Sequence, residues 1–271
     1  MMRISIGQLA PGTDKTANLA AIAEQAAKAA QEGAALVVFP EMAMFFKHGL
    51  DEAFAANAES IPGPFTVALD GIAKKSNIAI VAGILETVPG DDRPANTLYA
   101  TSSEGEFIAS YRKVHLYDAF GLRESDVICP AAVVEPVVFE LGGLNFGLLT
   151  CYDLRFPESA RVLADRGADV LVLPSAWTPG VRKEDHWETL VRARAIENTG
   201  YVIAANQAPP LSTGGSLAVD PMGIVLAELG EQVGLATVEV IKERIDAVRS
   251  INPCLVNRRF RVEPVAVAAT A

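Results

Sequence analysis

The sequence predicts an α/β protein of two mixed β-sheets packed together with helices outside, and three observations carry that prediction. Short apolar runs of strand length alternate with stretches of helical periodicity, several neighbouring strands read as hairpins, and the strands fall into two clusters, each flanked by helices. A length of 271 residues fits one large α/β domain, 1–271, and no linker is long enough to divide it.

The elements follow in order. RISIGQL at 3–9 alternates apolar and polar residues as a strand, and Asp14 caps an alanine-rich helix that runs to about residue 32, where Gly33 ends it. ALVVFP at 35–40 is apolar throughout, as a strand covered on both faces must be, and Pro40 stops it so that Glu41 emerges at its carboxyl end. A helix over about 65–75 and a strand IAIVAGIL at 78–85 repeat the cycle. The segments 96–103 and 107–114 then pair as a hairpin through the turn at Glu104 and Gly105, which makes the sheet mixed. After an irregular loop from His115 to about 132, strands at 133–141 and 144–151 turn at Gly142 and Gly143, and Cys151 stands where the second ends. Pro157 opens a helix through about 166, and DVLVLPSAW at 169–177 returns as a buried strand. A helix over 183–198 precedes strands at 201–207 and 216–220, a DPMG turn at 220–223, and strands at 224–229 and 234–240. A short helix at 241–248 leads into an alanine- and valine-rich tail.

Composition removes several classes of function. With 33 acidic residues against 23 basic, the formal charge of −10 offers neither nucleic acid nor an anionic membrane a surface to bind. Mean hydropathy is +0.25, yet the apolar runs are far shorter than the roughly 20 residues of a spanning helix. The first residues lack an apolar core followed by a small-residue cleavage site, so a cytoplasmic location is the expectation. Three cysteines at 129, 151 and 254 cannot all pair within one chain and form no CxxC clamp for metal, so at least one thiol is expected free.

Three groups next to strand ends, Glu41, Lys113 and Cys151, carry the chemistry. Taken singly they are unremarkable, because an isolated buried cysteine is usually a small core hydrophobe and a terminal Lys or Glu is usually solvated. Together they meet a specific need. A thiol near its ordinary pKa requires a base or a positive field to attack, and the resulting tetrahedral oxyanion requires a stabiliser. A carboxylate and an ammonium supply both. The sharp strand-to-helix turn in TCYDLRFPE at 150–158 would expose the sulfur and aim the Tyr152 backbone N–H at the oxyanion, a geometry suited to acyl transfer.

The motifs FPE around Glu41, YRKVHLYD around Lys113 and CYDLRFPE around Cys151 resemble the nitrilase, or carbon-nitrogen hydrolase, superfamily. The resemblance continues through RESD at 123–126, HWETLVRARAIEN at 186–198, GGSLAVDPMG at 214–223 and NPCLVNRR at 252–259. It implies a four-layer α-β-β-α sandwich that dimerises, and a Glu-Lys-Cys triad that uses no metal or cofactor. Carried over to these positions, Glu41 is the general base, Cys151 the nucleophile and Lys113 the oxyanion stabiliser with the Tyr152 N–H. Glu124 matches a second glutamate that positions Lys113 and the substrate. Pro130-Ala131 stands where the pattern has Pro-Gly, and Thr150 precedes the nucleophile where an apolar residue is common. CYDLRFPE and HWETLVRARAIEN look most like the Nit branch, with its ω-amidases and deaminated-glutathione amidases. The implied activity is hydrolysis of a small linear, carboxylate-bearing amide to acid and ammonia through a Cys151 thioester. A carbamoylase or nitrilase with the same triad, and a non-catalytic binding module, are the alternatives.

Four neighbours are candidate substrate contacts: Tyr152, Tyr117, Arg155 and Trp177. Arg155 suits a bidentate carboxylate clamp, and equally an ion pair at the start of its helix. Trp177 ends a strand as a pocket wall or as core. His48, His115 and His186 raise a Cys-His dyad, but none sits in a cysteine-protease signature, which favours structural hydrogen bonding. Gly214 and Gly215 lack a following phosphate-loop pattern and read as a tight turn.

Overall fold

The computed structural model describes residues 1–131 and 135–264. Twelve strands within these residues form two six-stranded sheets. The first holds β1 (Met2–Gln8), β2 (Leu36–Val38), β3 (Ala79–Glu86), β4 (Ala95–Thr101), β5 (Phe107–Arg112) and β12 (Gly234–Val240), in the order β12-β1-β2-β3-β4-β5. The second holds β6 (Val138–Leu141), β7 (Leu144–Leu148), β8 (Val170–Ser175), β9 (Tyr201–Asn206), β10 (Leu217–Val219) and β11 (Val225–Glu228), in the order β11-β10-β9-β8-β7-β6. Parallel pairs (β1-β2-β3 and β7-β8-β9) lie at the centre of each sheet, and hairpins extend them, so both sheets are mixed as expected.

The period-two alternation of the strands builds the layers. In β2 and β3, Leu36, Val38 and Val81 point into the core between the sheets, while Val37, Ile80 and Ala82 point outward beneath the helices. Those helices are α1 (Lys15–Gln31) and α3 (Pro64–Ser76). In β8, Val170 and Val172 face the inter-sheet core, and Leu171 and Leu173 face α4 (Pro157–Asp165) and α5 (Lys183–Asn198). A strand sandwiched in this way has no polar face, which is why LVV and VLVL read as continuous apolar runs. The result is the four-layer α-β-β-α sandwich.

Local signals held where a side chain enforces them. Asp14 Oδ1 accepts hydrogen bonds from the Thr16 and Ala17 N–H groups at 2.8 and 3.1 Å, and Gly33 takes φ +78° just past the end of α1. Other boundaries moved inward. The strands expected to reach residues 40, 114 and 151 end at Val38, Arg112 and Leu148, because the chain turns there to present Glu41, Lys113 and Cys151. The strand expected over 133–141 is paired only from Val138, and residues 133 and 134 lie outside the described part, as does the tail beyond 264. Helix α2 (Ala53–Ala56) was not expected, since four residues are too few to show a period. A final helix, α6 (Lys242–Ile251), packs Ile245 into the inter-sheet core. No helix among the described residues is long and apolar enough to cross a membrane.

Candidate active site

Glu41 sits three residues beyond β2, in a segment seated on β3 at a glycine. A Cβ placed on Gly83 would lie 2.3 Å from the Met42 nitrogen and 2.6 Å from the Glu41 Cα. The neighbours are backbone and cannot swing aside. Gly83→Ala is therefore expected to displace Glu41, costing about 1–3 kcal/mol of stability and slowing turnover, measured by thermal melting and ammonia release. Unchanged activity would mean that the Glu41 seat tolerates movement.

Lys113 follows β5 directly, and its N–H donates to the Asn96 carbonyl at 2.9 Å. Cys151 opens the 3₁₀ turn Cys151–Arg155 with φ +45°, a left-handed conformation that costs a non-glycine residue roughly 1–2 kcal/mol. Asp153, fully buried, holds that turn. Its carboxylate accepts from the Thr150 N–H at 2.9 Å, the Tyr111 hydroxyl at 2.7 Å and the His115 N–H at 3.2 Å, with the His115 ring Nδ1 at 2.7 Å. Tyr111 lies on β5, so the nucleophile turn of one sheet is tied to the Lys113 strand of the other. At the two departures from the family pattern, the Thr150 N–H donates to Asp153 and the Ala131 N–H to the Lys113 carbonyl at 3.3 Å, while the buried Thr150 hydroxyl has no hydrogen-bond partner among the described residues.

Around these anchors lies a closed charge network. Lys113 Nζ donates to Glu41 Oε1 and to Glu124 Oε2, each at 2.8 Å. Asn96 Nδ2 bridges the same carboxylates, at 2.6 Å to Glu41 and 3.1 Å to Glu124. Glu41 Oε2 accepts from the Ala176 N–H at 2.7 Å, and Glu124 Oε2 accepts from the Tyr117 N–H at 2.6 Å. Gln207 Nε2 fixes the Glu41 carbonyl at 2.8 Å. Lys113, Glu41 and Glu124 are at most 4% exposed, so their desolvation is offset only because every charge meets an opposite charge and further donors.

Burial opposes charge on Lys113, but Glu124 and Glu41 outweigh it and hold the ammonium well above the ordinary lysine value of 10.5. Burial pushes the Cys151 thiol well above its ordinary 9.0, Glu41 adds to the rise, and Lys113 opposes it. The sulfur therefore rests as a neutral thiol beside Glu41. Both groups keep protons in the folded state that the unfolded chain releases. Unfolding then becomes more favourable as pH rises, first through the thiol range and then through the lysine range. The melting midpoint is expected to be level near neutrality and to fall above about pH 9. A midpoint rising through that range would contradict the assignment.

Glu41, Lys113, Glu124 and Cys151 share the wall of a cavity of about 380 Å³, a volume suited to a small ligand. Tyr117 and Trp177 line it. Arg155 and Tyr152 are not among its lining residues. The Arg155 guanidinium lies 4.8 Å from the Trp177 ring centroid and 5.4 Å from that of Phe120, and Nη2 is 3.5 Å from His186 Nδ1. The Tyr152 ring packs edge-on against Tyr117 and Phe156, while its N–H directly follows Cys151. Of the histidines, His115 serves Asp153 and stacks on Phe156 at 3.7 Å, His186 neighbours Arg155, and His48 lines the cavity. The charged groups that act on the thiol are Glu41 and Lys113.

Sequence reasoning missed Asn96, Asp153, Gly83 and Lys183. Asn96 left a trace, since asparagine is depleted in strand interiors. Lys183 also lines the cavity but had read only as the start of a helix. Among the described residues, no group of three or more His, Cys, Asp or Glu side chains is arranged to hold a metal.

Known proteins share this arrangement of chain. The sequence is 36% identical over 260 residues to a deaminated glutathione amidase of Escherichia coli O157:H7, covering 96% of this chain and 98% of the relative. A Cys-to-Ala mutant of an amidase from Nesterenkonia AN1, of the nitrilase superfamily, superposes with a TM-score of 0.82 at 31% identity, over 95% of this chain and 94% of that one. Saccharomyces cerevisiae Nit3, of branch 10 of the same superfamily, superposes with a TM-score of 0.84 at 31% identity, over 96% and 97%. Residues 3–250 match the carbon-nitrogen hydrolase family, and to that family this chain belongs.

Proposed function

We propose that the protein is an amidase that hydrolyses a short linear amide bearing a carboxylate, with Cys151 as nucleophile, Glu41 as general base and Lys113 as oxyanion stabiliser. The observation that carries this reading is the convergence of a neutral thiol, a carboxylate and a buried ammonium on one cavity wall. Cys151 Sγ bonds to the amide carbon as its proton passes to Glu41. An ammonium has three N–H donors, and Lys113 commits two to glutamates, which leaves one for the oxyanion beside the Tyr152 N–H. Glu41 returns the proton to the departing nitrogen, the C–N bond breaks, and ammonia leaves a thioester on Cys151. Glu41 next takes a proton from water, the resulting hydroxide attacks the thioester, the C–S bond breaks, and the sulfur is reprotonated as the acid departs. Glu124 positions Lys113, Tyr117 and Trp177 wall the substrate, and Arg155 packs against Trp177.

The deaminated glutathione amidases among the relatives support the amide class. Quenched-flow mass spectrometry with a panel of amides, nitriles and N-carbamoyl amino acids tests it. Acyl adducts on Cys151 and ammonia release from short dicarboxylate monoamides, or from deaminated glutathione, are expected; turnover of nitriles or carbamoyl compounds alone would reject it. We also place the enzyme in the cytoplasm as a homodimer of one-domain chains, 1–271. Three unpaired cysteines suit a reducing compartment. Exposed Ile196 packs beside Gly223, between exposed Met222 and Ile224 and next to edge strand β11, which suits a covered face.

A further inference from the structure

We infer that Lys183 receives the substrate's remote carboxylate and so sets the preference for amides that carry one; the inference rests on the amidase reading and adds the residue that selects within it. Lys183 opens α5, is 3% exposed and lines the same cavity as Cys151. Three lysines line that cavity. Lys113 is neutralised by Glu41 and Glu124, and Lys47 is paired with Asp51. Among the described residues, Lys183 has no carboxylate within ion-pair distance, and its amino group donates only to the Tyr117 hydroxyl, at 2.9 Å.

A buried cation without a counterion is costly, and the surroundings lower that cost without cancelling the charge. Nζ lies 4.7 Å from the ring centroids of Tyr117 and Phe120 and 4.8 Å from that of Trp177, so three aromatic faces attract it electrostatically. Two N–H donors remain after Tyr117, matching the acceptor capacity of a carboxylate. The position is also locally unfavourable for a lysine, because the first turn of a helix carries partial positive charge. Glu184 and Asp185, the residues that suit that turn, are exposed, while Lys183 is turned inward. Its carbonyl accepts from Trp177 Nε1 at 2.8 Å, which fixes the start of α5 to the cavity wall. Arg155, a further cation near the site, lies 4.8 Å from the Trp177 ring centroid and outside the lining.

The test measures binding with chemistry switched off. In Cys151→Ala protein, calorimetric titration with malonamate, succinamate and glutaramate is compared with butyramide, which has no carboxylate. One of the three anionic amides is expected to bind well above butyramide. Adding Lys183→Met is expected to weaken that binding about 100-fold, the scale for truncating one partner of a buried charge pair, and to bring it to the butyramide level, while Lys183→Arg restores part of it. Equal affinity for anionic and neutral amides, or a Lys183→Met loss shared equally by both, would overturn the inference. So would full anionic preference in the Lys183→Met protein. The melting midpoint of each variant reports folding, and Lys183→Arg keeps the test decisive if the methionine variant unfolds. Ammonia release by the wild-type enzyme is read separately: its absence, beside intact carboxylate selectivity, would reject the amidase reading and leave the Lys183 site standing.

Discussion

Replacing Cys151 with alanine is expected to lower kcat for amide hydrolysis by about 10⁴-fold or more, the scale seen when a covalent nucleophile is removed. Glu41 and Lys113 remain, and water activated by the one and an oxyanion held by the other account for the residual rate. The fold should scarcely notice. The sulfur rests as a neutral thiol, so its loss leaves no unbalanced charge among Lys113, Glu41 and Glu124. Alanine at φ +45° bears a backbone cost like that of cysteine, and one deleted buried atom is worth about 1 kcal/mol. Cys151→Ser separates nucleophile from geometry, because a hydroxyl keeps a small polar group beside Glu41 but is far too weak an acid for a carboxylate to deprotonate. Both variants should release almost no ammonia and show no acyl mass after quenching. Turnover within tenfold of wild type, with the fold intact, would remove Cys151 from the mechanism.

The sheets were legible because a strand buried on both faces must be apolar along its length, and a hairpin must alternate. LVV at 36–38, VLVL at 170–173 and the paired segments around Gly105 and Gly142 satisfy those demands on their own. The Glu41, Lys113 and Cys151 positions were legible for a related reason: each lies just past a strand end, and the strands set where those ends meet. What could not be read was anything fixed by contact between distant segments. Asn96 matters only because β4 carries it between two glutamates from loops 55 positions before it and 28 after. Asp153 matters because Tyr111, 42 positions earlier, reaches across the sheets to it. Arg155 and Lys183 show the limit most clearly. By residue type Arg155 is the better carboxylate clamp, yet it lies outside the cavity lining, and the cavity-lining cation without a carboxylate partner among the described residues comes from a helix start with no motif.

Replacing Lys113 with methionine should have the next largest effect, on rate and stability together. Removing one oxyanion donor costs about 10²–10³ in kcat. The loss here should reach at least the upper figure, since Lys113 also orients Glu41 through the 2.8 Å hydrogen bond. The stability effect has a sign that can be worked out. Without the ammonium, Glu41 and Glu124 face each other in a buried site with only Asn96 between them, and breaking a buried ion pair typically costs about 3–5 kcal/mol. A proton relieves that repulsion. The folded variant therefore holds a proton more tightly than the unfolded chain, whose glutamates titrate near pH 4.3. Where the folded state binds more protons, unfolding free energy declines as pH rises. The deficit relative to wild type should be small near pH 5 and full by about pH 8, measured by urea denaturation at both. Lys113→Arg supplies the control, because a guanidinium restores the charge but not the single-point geometry between two carboxylates. It should recover most of the stability at pH 8 while remaining poor in turnover. A methionine variant whose deficit is the same at both pH values would show that Lys113 acts through packing, and that the two glutamates do not depend on its charge.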